Sequence, residues 1–276
     1  PFLGEATADA MKVLESFLRR STASDFTSAE AFAQRAYALL SEIFVDAFRS
    51  KQAQDALKSA VKETYEFYRL QDNAAFGKAA GVTFALDAID RRTLNFARQL
   101  DRFHLSKWIT NRQTERSLLA FLQEQYLEKG AGLFGRQNIE NIEEFISLAT
   151  DRLEPLTEFE TRRIIDTAVQ RLRNWANIGQ LDQAGIKVAQ IVNPSPEAEI
   201  CKFMVREIKY IPVAQARESV DEMSALSPEA FAQRLTQITP DLIAIMGIES
   251  ATRQGYGYPP YHPNCKTRLV ATERQQ

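Results

Sequence analysis

The chain has 276 residues, of which 45% are hydrophobic and 25% charged, and a formal net charge of −2. That composition is ordinary for a soluble folded protein, and 11 glycines and 10 prolines exclude collagen-like or low-complexity architectures. No apolar run approaches the roughly 20 residues needed to cross a bilayer, no secretory pattern opens the chain, and the slightly negative charge argues against a general nucleic-acid coat.

Glycine and proline are unevenly spread. Residues 5–76, 82–129, 136–154 and 156–178 contain neither, and eight of the ten prolines follow residue 155. A long helical part and a shorter, more irregular part are therefore expected. The first gap-free stretch would run roughly 110 Å as a single helix, so it should fold back on itself. The break falls at the polar cluster 21–28, where Thr27 or Ser28 can cap the next helix and Glu30 places a negative charge in its first turn. Phe32, Ala36, Leu39, Leu40, Ile43, Ala47 and Phe48 then recur at helical spacing. A second stripe runs through Leu57, Ala60, Val61, Tyr65 and Tyr68. A third runs through Leu86, Ile89, Phe96, Leu100 and Phe103 towards Trp108. The fourth, Leu118, Leu119, Leu122 and Tyr126, stops at Gly130-Ala131-Gly132. Each helix must bury one face against its neighbours, as in an antiparallel bundle.

Two helices are predicted next: 138–153, with Asn138 as cap and Pro155 beyond its end, and 157–184, with Thr157 and Glu160 as a capping box and Gly185 as the stop. Residues 186–192 alternate as a strand does, and 209–213 form a weaker strand whose proline favours a sheet edge. Ser227-Pro228 opens a short helix. The stretch 255–265 is too rich in proline and glycine for regular structure. The fold class expected is mainly α: an N-terminal antiparallel helical bundle over 1–155, then a smaller α+β domain over 156–276 with a short sheet and a proline-rich C-terminal loop.

Signatures of catalysis are absent from the sequence: there is no phosphate-binding glycine loop, no dinucleotide fingerprint, no zinc-protease helix and no serine elbow. A non-enzymatic protein is expected. Of the two histidines, His104 lies in an aromatic helix and reads as structural. The run Arg91, Arg92, Arg98, Arg102, Lys107, Arg112, Arg116 is interleaved with Asp87, Asp90, Asp101 and Glu115, which favours pairing within the helix over a phosphate-binding face. The remaining constellation is Cys201 with His262 and Cys265. His-x-x-Cys on a proline-held loop can place an imidazole and a thiolate on one metal, with Cys201 as a third ligand and zinc as the fitting ion. Two packed thiols, or a Cys201–Cys265 disulfide, are the alternatives. Whatever the bond, Cys201 and the His262–Cys265 loop are expected to meet as a latch.

Residues 157–269 resemble the head-morphogenesis family of tailed phages, named for the F-like minor head protein of phage Mu. The resemblance rests on four segments. The helix around Arg162 and Thr167 is one, and Gln183-Ala184-Gly185 before the strand is another. The third is Pro194-Ser195-Pro196-Glu197-Ala198-Glu199-Ile200-Cys201. The most specific is Pro259-Pro260-Tyr261-His262-Pro263-Asn264-Cys265-Lys266. Arg162, Thr167, Gly185, Pro196, Glu199, Pro260, His262, Asn264 and Cys265 are thereby marked as structural motif positions. Cysteines common in the family are replaced here by about Met204 and Thr267. The resemblance implies a minor head protein present around the portal in several copies, acting in head assembly and genome delivery. Its implied partners are the portal ring or capsid protein, with packaged DNA as a further contact and no membrane. Its implied place is the virion head interior or portal vertex, after assembly in the host cytoplasm. Alternative roles are a carrier domain or cargo of a phage-derived secretion or toxin system, or a helical internal head protein associated with nucleic acid.

Overall fold

The computed structural model describes residues 2–80, 85–107 and 109–272; Trp108, at the end of the third predicted stripe, lies outside them. The order of elements is α1 (Phe2–Arg20), α2 (Ala29–Arg49), α3 (Lys51–Ala80), α4 (Ala88–Lys107), α5 (Arg112–Lys129), α6 (Ile139–Gln183), β1 (Val188–Val192), α7 (Glu199–Phe203), β2 (Tyr210–Pro212), α8 (Val213–Met223), α9 (Pro228–Leu235), α10 (Pro240–Met246), α11 (Ile248–Arg253) and β3 (Arg268–Ala271). The chain is mainly α with a small three-stranded antiparallel sheet near its C-terminus. No described helix is long and apolar enough to cross a membrane.

Local signals account for many of the boundaries. Ser28 caps α2 by accepting a hydrogen bond from the Ala31 amide, with Glu30 in the first turn. Gly130 ends α5, and Ser227 with Pro228 opens α9. After α6 the amide of Ile186 bonds to the Leu181 carbonyl and that of Gly185 to Asp182, while Gly185 adopts φ +71°. This is a Schellman cap, and it needs a residue that tolerates the left-handed region.

One helix boundary is absent. The two helices expected on either side of Pro155 are a single helix, α6, with the proline inside it. Ile142, Phe145, Ala149 and Leu153 are buried before the proline, and Thr157, Thr161, Ala168, Leu172, Trp175 and Ala176 after it. The stripe stays in phase across residue 155, so burial on both sides outweighs the roughly 3 kcal/mol that a proline costs in a helix interior. Thr157 is thus part of the buried stripe and not a cap; its hydroxyl has no hydrogen-bond partner.

The chain forms two compact units, each discontinuous in sequence: residues 1–55 with 104–162, and residues 56–103 with 163–276. A single cut near residue 155 does not describe this division, because 56–103 clusters with the C-terminal part. The first unit contains no strand among its described residues. Its core includes Phe26, Phe32 and Phe134, whose rings meet at centroid distances of 5.3–5.7 Å, with Tyr126 against Phe32. Such aromatic packing adds to simple area burial. The Tyr37 hydroxyl donates to the carbonyl of Ile109.

The second unit holds the sheet, in the order β2-β1-β3. The proline-bearing strand β2 is at an edge, as expected from its missing amide. Ala189 pairs with Ile211 and Ile191 with Leu269, and all four are buried, so one face of the sheet enters the core. Phe96, Trp175 and Phe231 pack together in the same core.

The strand β3 had no clear signature in the sequence. Its backbone is held partly by α6. Asn174 donates to the Thr267 carbonyl and accepts from the Leu269 amide, and Asn177 donates to the Leu269 carbonyl. Gln180 donates to the Tyr68 and Arg69 carbonyls and Gln183 to that of Ala85. Four amides at three-residue spacing thus form a polar stripe that satisfies backbone groups, which buried irregular segments require. That spacing was the available sequence signal for the stripe.

Candidate metal centre

The loop 255–265 is irregular, with a cis Pro259–Pro260 bond and Asn264 at φ +60°. It brings the His262 and Cys265 side chains to the start of α7, where Cys201 sits. Cys201 Sγ lies 3.0 Å from His262 Nε2 and 3.6 Å from Cys265 Sγ. The sulfurs are unbridged, at a separation well beyond the roughly 2.05 Å of a disulfide. Together they form a group of three ligand-type side chains whose donor atoms lie within 4.8 Å of one another, the one such group among the described residues.

Both cysteines are buried while His262 is half-buried. The hydrogen bond between the thiols, and secondarily burial, pushes Cys201 above its ordinary value. The same bond holds Cys265 below its own. Hydrogen bonding to Cys265 raises His262, against the opposing effect of burial. One shared negative charge on the sulfur pair, beside an imidazole, is the electrostatic character of the site.

The surrounding positions are now clear. The Asn264 amide donates to Thr167 Oγ1 at 3.0 Å, and that hydroxyl donates to the Arg163 carbonyl. Thr167, Cys201, His262, Asn264 and Cys265 are therefore neighbours around one loop. Glu199 opens α7, Gly185 caps α6, Pro260 is buried in the loop, Pro196 is half-buried before α7, and Arg162 is exposed in the other unit. Thr267, noted in the sequence only as a missing cysteine, is fully buried, and its side chain acts to lower both cysteines. Asn193 donates to its hydroxyl at 2.9 Å.

The charged run on α4 behaves differently from its reading as intrahelical pairs. Asp90 is fully buried and meets Arg69 at 2.7 Å and Arg217 at 3.0 Å, with the Tyr65 hydroxyl donating to it at 2.7 Å. Arg217 also pairs with Asp87, and Arg171 with Asp101. On the exposed side Arg92 makes two bonds to Asp221. These partners lie on other elements, because a carboxylate turned into the core must take its counter-charge from whatever packs against it. For Asp87, burial acts upward, but the Asp90 amide and the Arg217 guanidinium prevail and lower it. Half-buried His104 lies in the last turn of α4.

No family model, curated protein or solved structure matches this chain.

Proposed function

We propose that the chain is a non-enzymatic minor head protein of a tailed phage or phage-like particle, bound to the portal ring or capsid wall and acting in head assembly. The reading rests on the resemblance to the F-like head-morphogenesis family. The observation that carries it is the meeting of motif positions from three separated segments: Thr167 from the helix, Cys201 from the acidic approach, and His262, Asn264 and Cys265 from the ending. Positions that a motif marks together, and that fold into one cluster, are what a shared domain would require. The buried thiols favour a structural role, since a nucleophile must be reached by its substrate. The helical first unit supplies amphipathic surfaces of the sort that dock on a ring or wall.

Expression with the other structural genes of its own locus, followed by particle purification, tests the proposal. The chain is expected in heads or portal complexes, in fewer copies than the main capsid subunit. Recovery only as free protein, absent from both, would overturn it.

A further inference from the structure

We infer that Cys201, His262 and Cys265 bind one zinc ion through Sγ, Nε2 and Sγ, with water completing a tetrahedron. The argument begins with edge lengths. An ion bound at about 2.3 Å to sulfur and about 2.0 Å to nitrogen separates two thiolates by about 3.8 Å, and a thiolate from an imidazole nitrogen by about 3.5 Å. The corresponding distances are 3.6 Å and 3.0 Å. Adjustments of about half an ångström or less bring these two edges to the ideal, and the third, from Nε2 to Cys265 Sγ, lies within 4.8 Å, whereas a disulfide requires the sulfurs to close by roughly 1.5 Å.

The imidazole supplies an independent observation. His262 Nδ1 lies 2.7 Å from the Pro263 carbonyl oxygen. A carbonyl only accepts, so Nδ1 carries a proton, and Nε2 is the ring nitrogen that faces the sulfurs and would give its lone pair to an ion there. A second hydrogen bond of this kind, to a backbone carbonyl, is what fixes metal-binding histidines in their tautomer. Thr267 has the matching role on the sulfur side. Its oxygen accepts from Asn193, which leaves its own proton free to turn towards the sulfurs, whose ionised forms it favours.

Charge and softness select the ion. Two thiolates, one neutral imidazole and a divalent cation sum to zero, which suits a site whose cysteines are both buried. Magnesium and calcium favour oxygen donors, whereas a sulfur–nitrogen set of tetrahedral form suits zinc.

The test uses the full chain, purified under reducing conditions, stripped by chelation and titrated with zinc and with cobalt. About one ion per chain is expected, with the visible absorption of a tetrahedral cobalt thiolate. Cys201→Ser, Cys265→Ser and His262→Ala should each weaken binding more than about tenfold, and Thr267→Val, which removes no ligand, by about 10- to 100-fold. If a ligand variant fails to fold, the wild-type cobalt spectrum and Thr267→Val still decide the matter. Uptake below about a tenth of an equivalent without a cobalt thiolate band, or full binding by the folded ligand variants, overturns the inference. So does a Cys201–Cys265 disulfide in chains acid-trapped directly from the cytosol of producing cells. None of these readouts depends on particle association, so the site and the head-protein proposal stand or fall separately.

Discussion

Arg171 and Asp101 form an ion pair of 2.6 Å in which the two side chains are 1% and 3% exposed. Burial pushes Arg171 down and Asp101 up from their ordinary values, each towards neutrality, and the partner's charge opposes that in both cases. The guanidinium also lies 5.8 Å from the centre of the Trp175 ring, while Nε and Nη1 make no hydrogen bond. Desolvation is therefore only partly offset, and the pair fixes which faces of α4 and α6 can meet in the second unit.

Removing one partner should be far worse than removing both. Asp101→Ala is expected to destabilise the protein by about 3–5 kcal/mol, because it leaves Arg171 buried and unpaired. The double change Asp101→Leu with Arg171→Met should recover most of that loss. Urea unfolding of the four chains in a double-mutant cycle measures the difference; equal losses in the single and double variants would contradict it.

Asn174 serves the backbone of the segment entering β3 as both donor and acceptor. Asn174→Leu matches its size but leaves the Thr267 carbonyl and Leu269 amide without that partner. A cost of about 1–3 kcal/mol is expected for each group left unsatisfied. Hydrogen exchange at Leu269 should accelerate well before exchange in α2 does.

Gly179 reverses a common rule. Alanine normally stabilises a helix interior by about 1 kcal/mol relative to glycine. Here an added Cβ would stand 3.0 Å from Arg217 Nη1, 3.1 Å from Asp90 Oδ1 and 3.2 Å from Arg69 Nη1. All three belong to the buried ion cluster and have little room to retreat. Gly179→Ala is expected to cost about 1–3 kcal/mol by overpacking, read as a lower denaturant midpoint; a raised midpoint would show that the cluster yields.

Alkaline pH should unfold the protein through its phenols. Burial raises Tyr65, Tyr258 and Tyr261 above their ordinary value, and Tyr37 is pushed up to about 12. Above pH about 10 the unfolded chain sheds phenolic protons that the folded chain keeps, so stability falls with rising pH at about 1.4 kcal/mol per unit for each such group. Below pH about 10 both states are protonated and these groups contribute no slope. The share of Tyr37 ends near pH 12, where its folded form also ionises. Denaturant midpoints between pH 9 and about 12 should decline, and more gently for Tyr261→Phe, which lacks one of these phenols.

The amino-acid order alone determined features whose free energy is paid within a turn or two of chain. Ser28 and Ser227 cap helices, Gly185 closes one, and strand alternation appears only after residue 185, because caps and periodic apolar faces depend on neighbours three or four positions away. The latch was legible for a related reason: Cys201, His262 and Cys265 are rare residues, and the last two sit on a loop with few conformations. Tertiary structure decided the rest. Pro155 lies inside α6 because the stripes on both sides of it stay in phase, and a local rule cannot weigh that burial against one lost hydrogen bond. Asp90 and Asp101 read as partners of arginines on their own helix, but their counter-charges are Arg69, Arg171 and Arg217, up to 127 positions away. The strand β3 has its partners in β1 and in amides of α6 more than 90 residues earlier. A buried polar group is stable only beside its partner, and only the folded chain determines which distant residue that is.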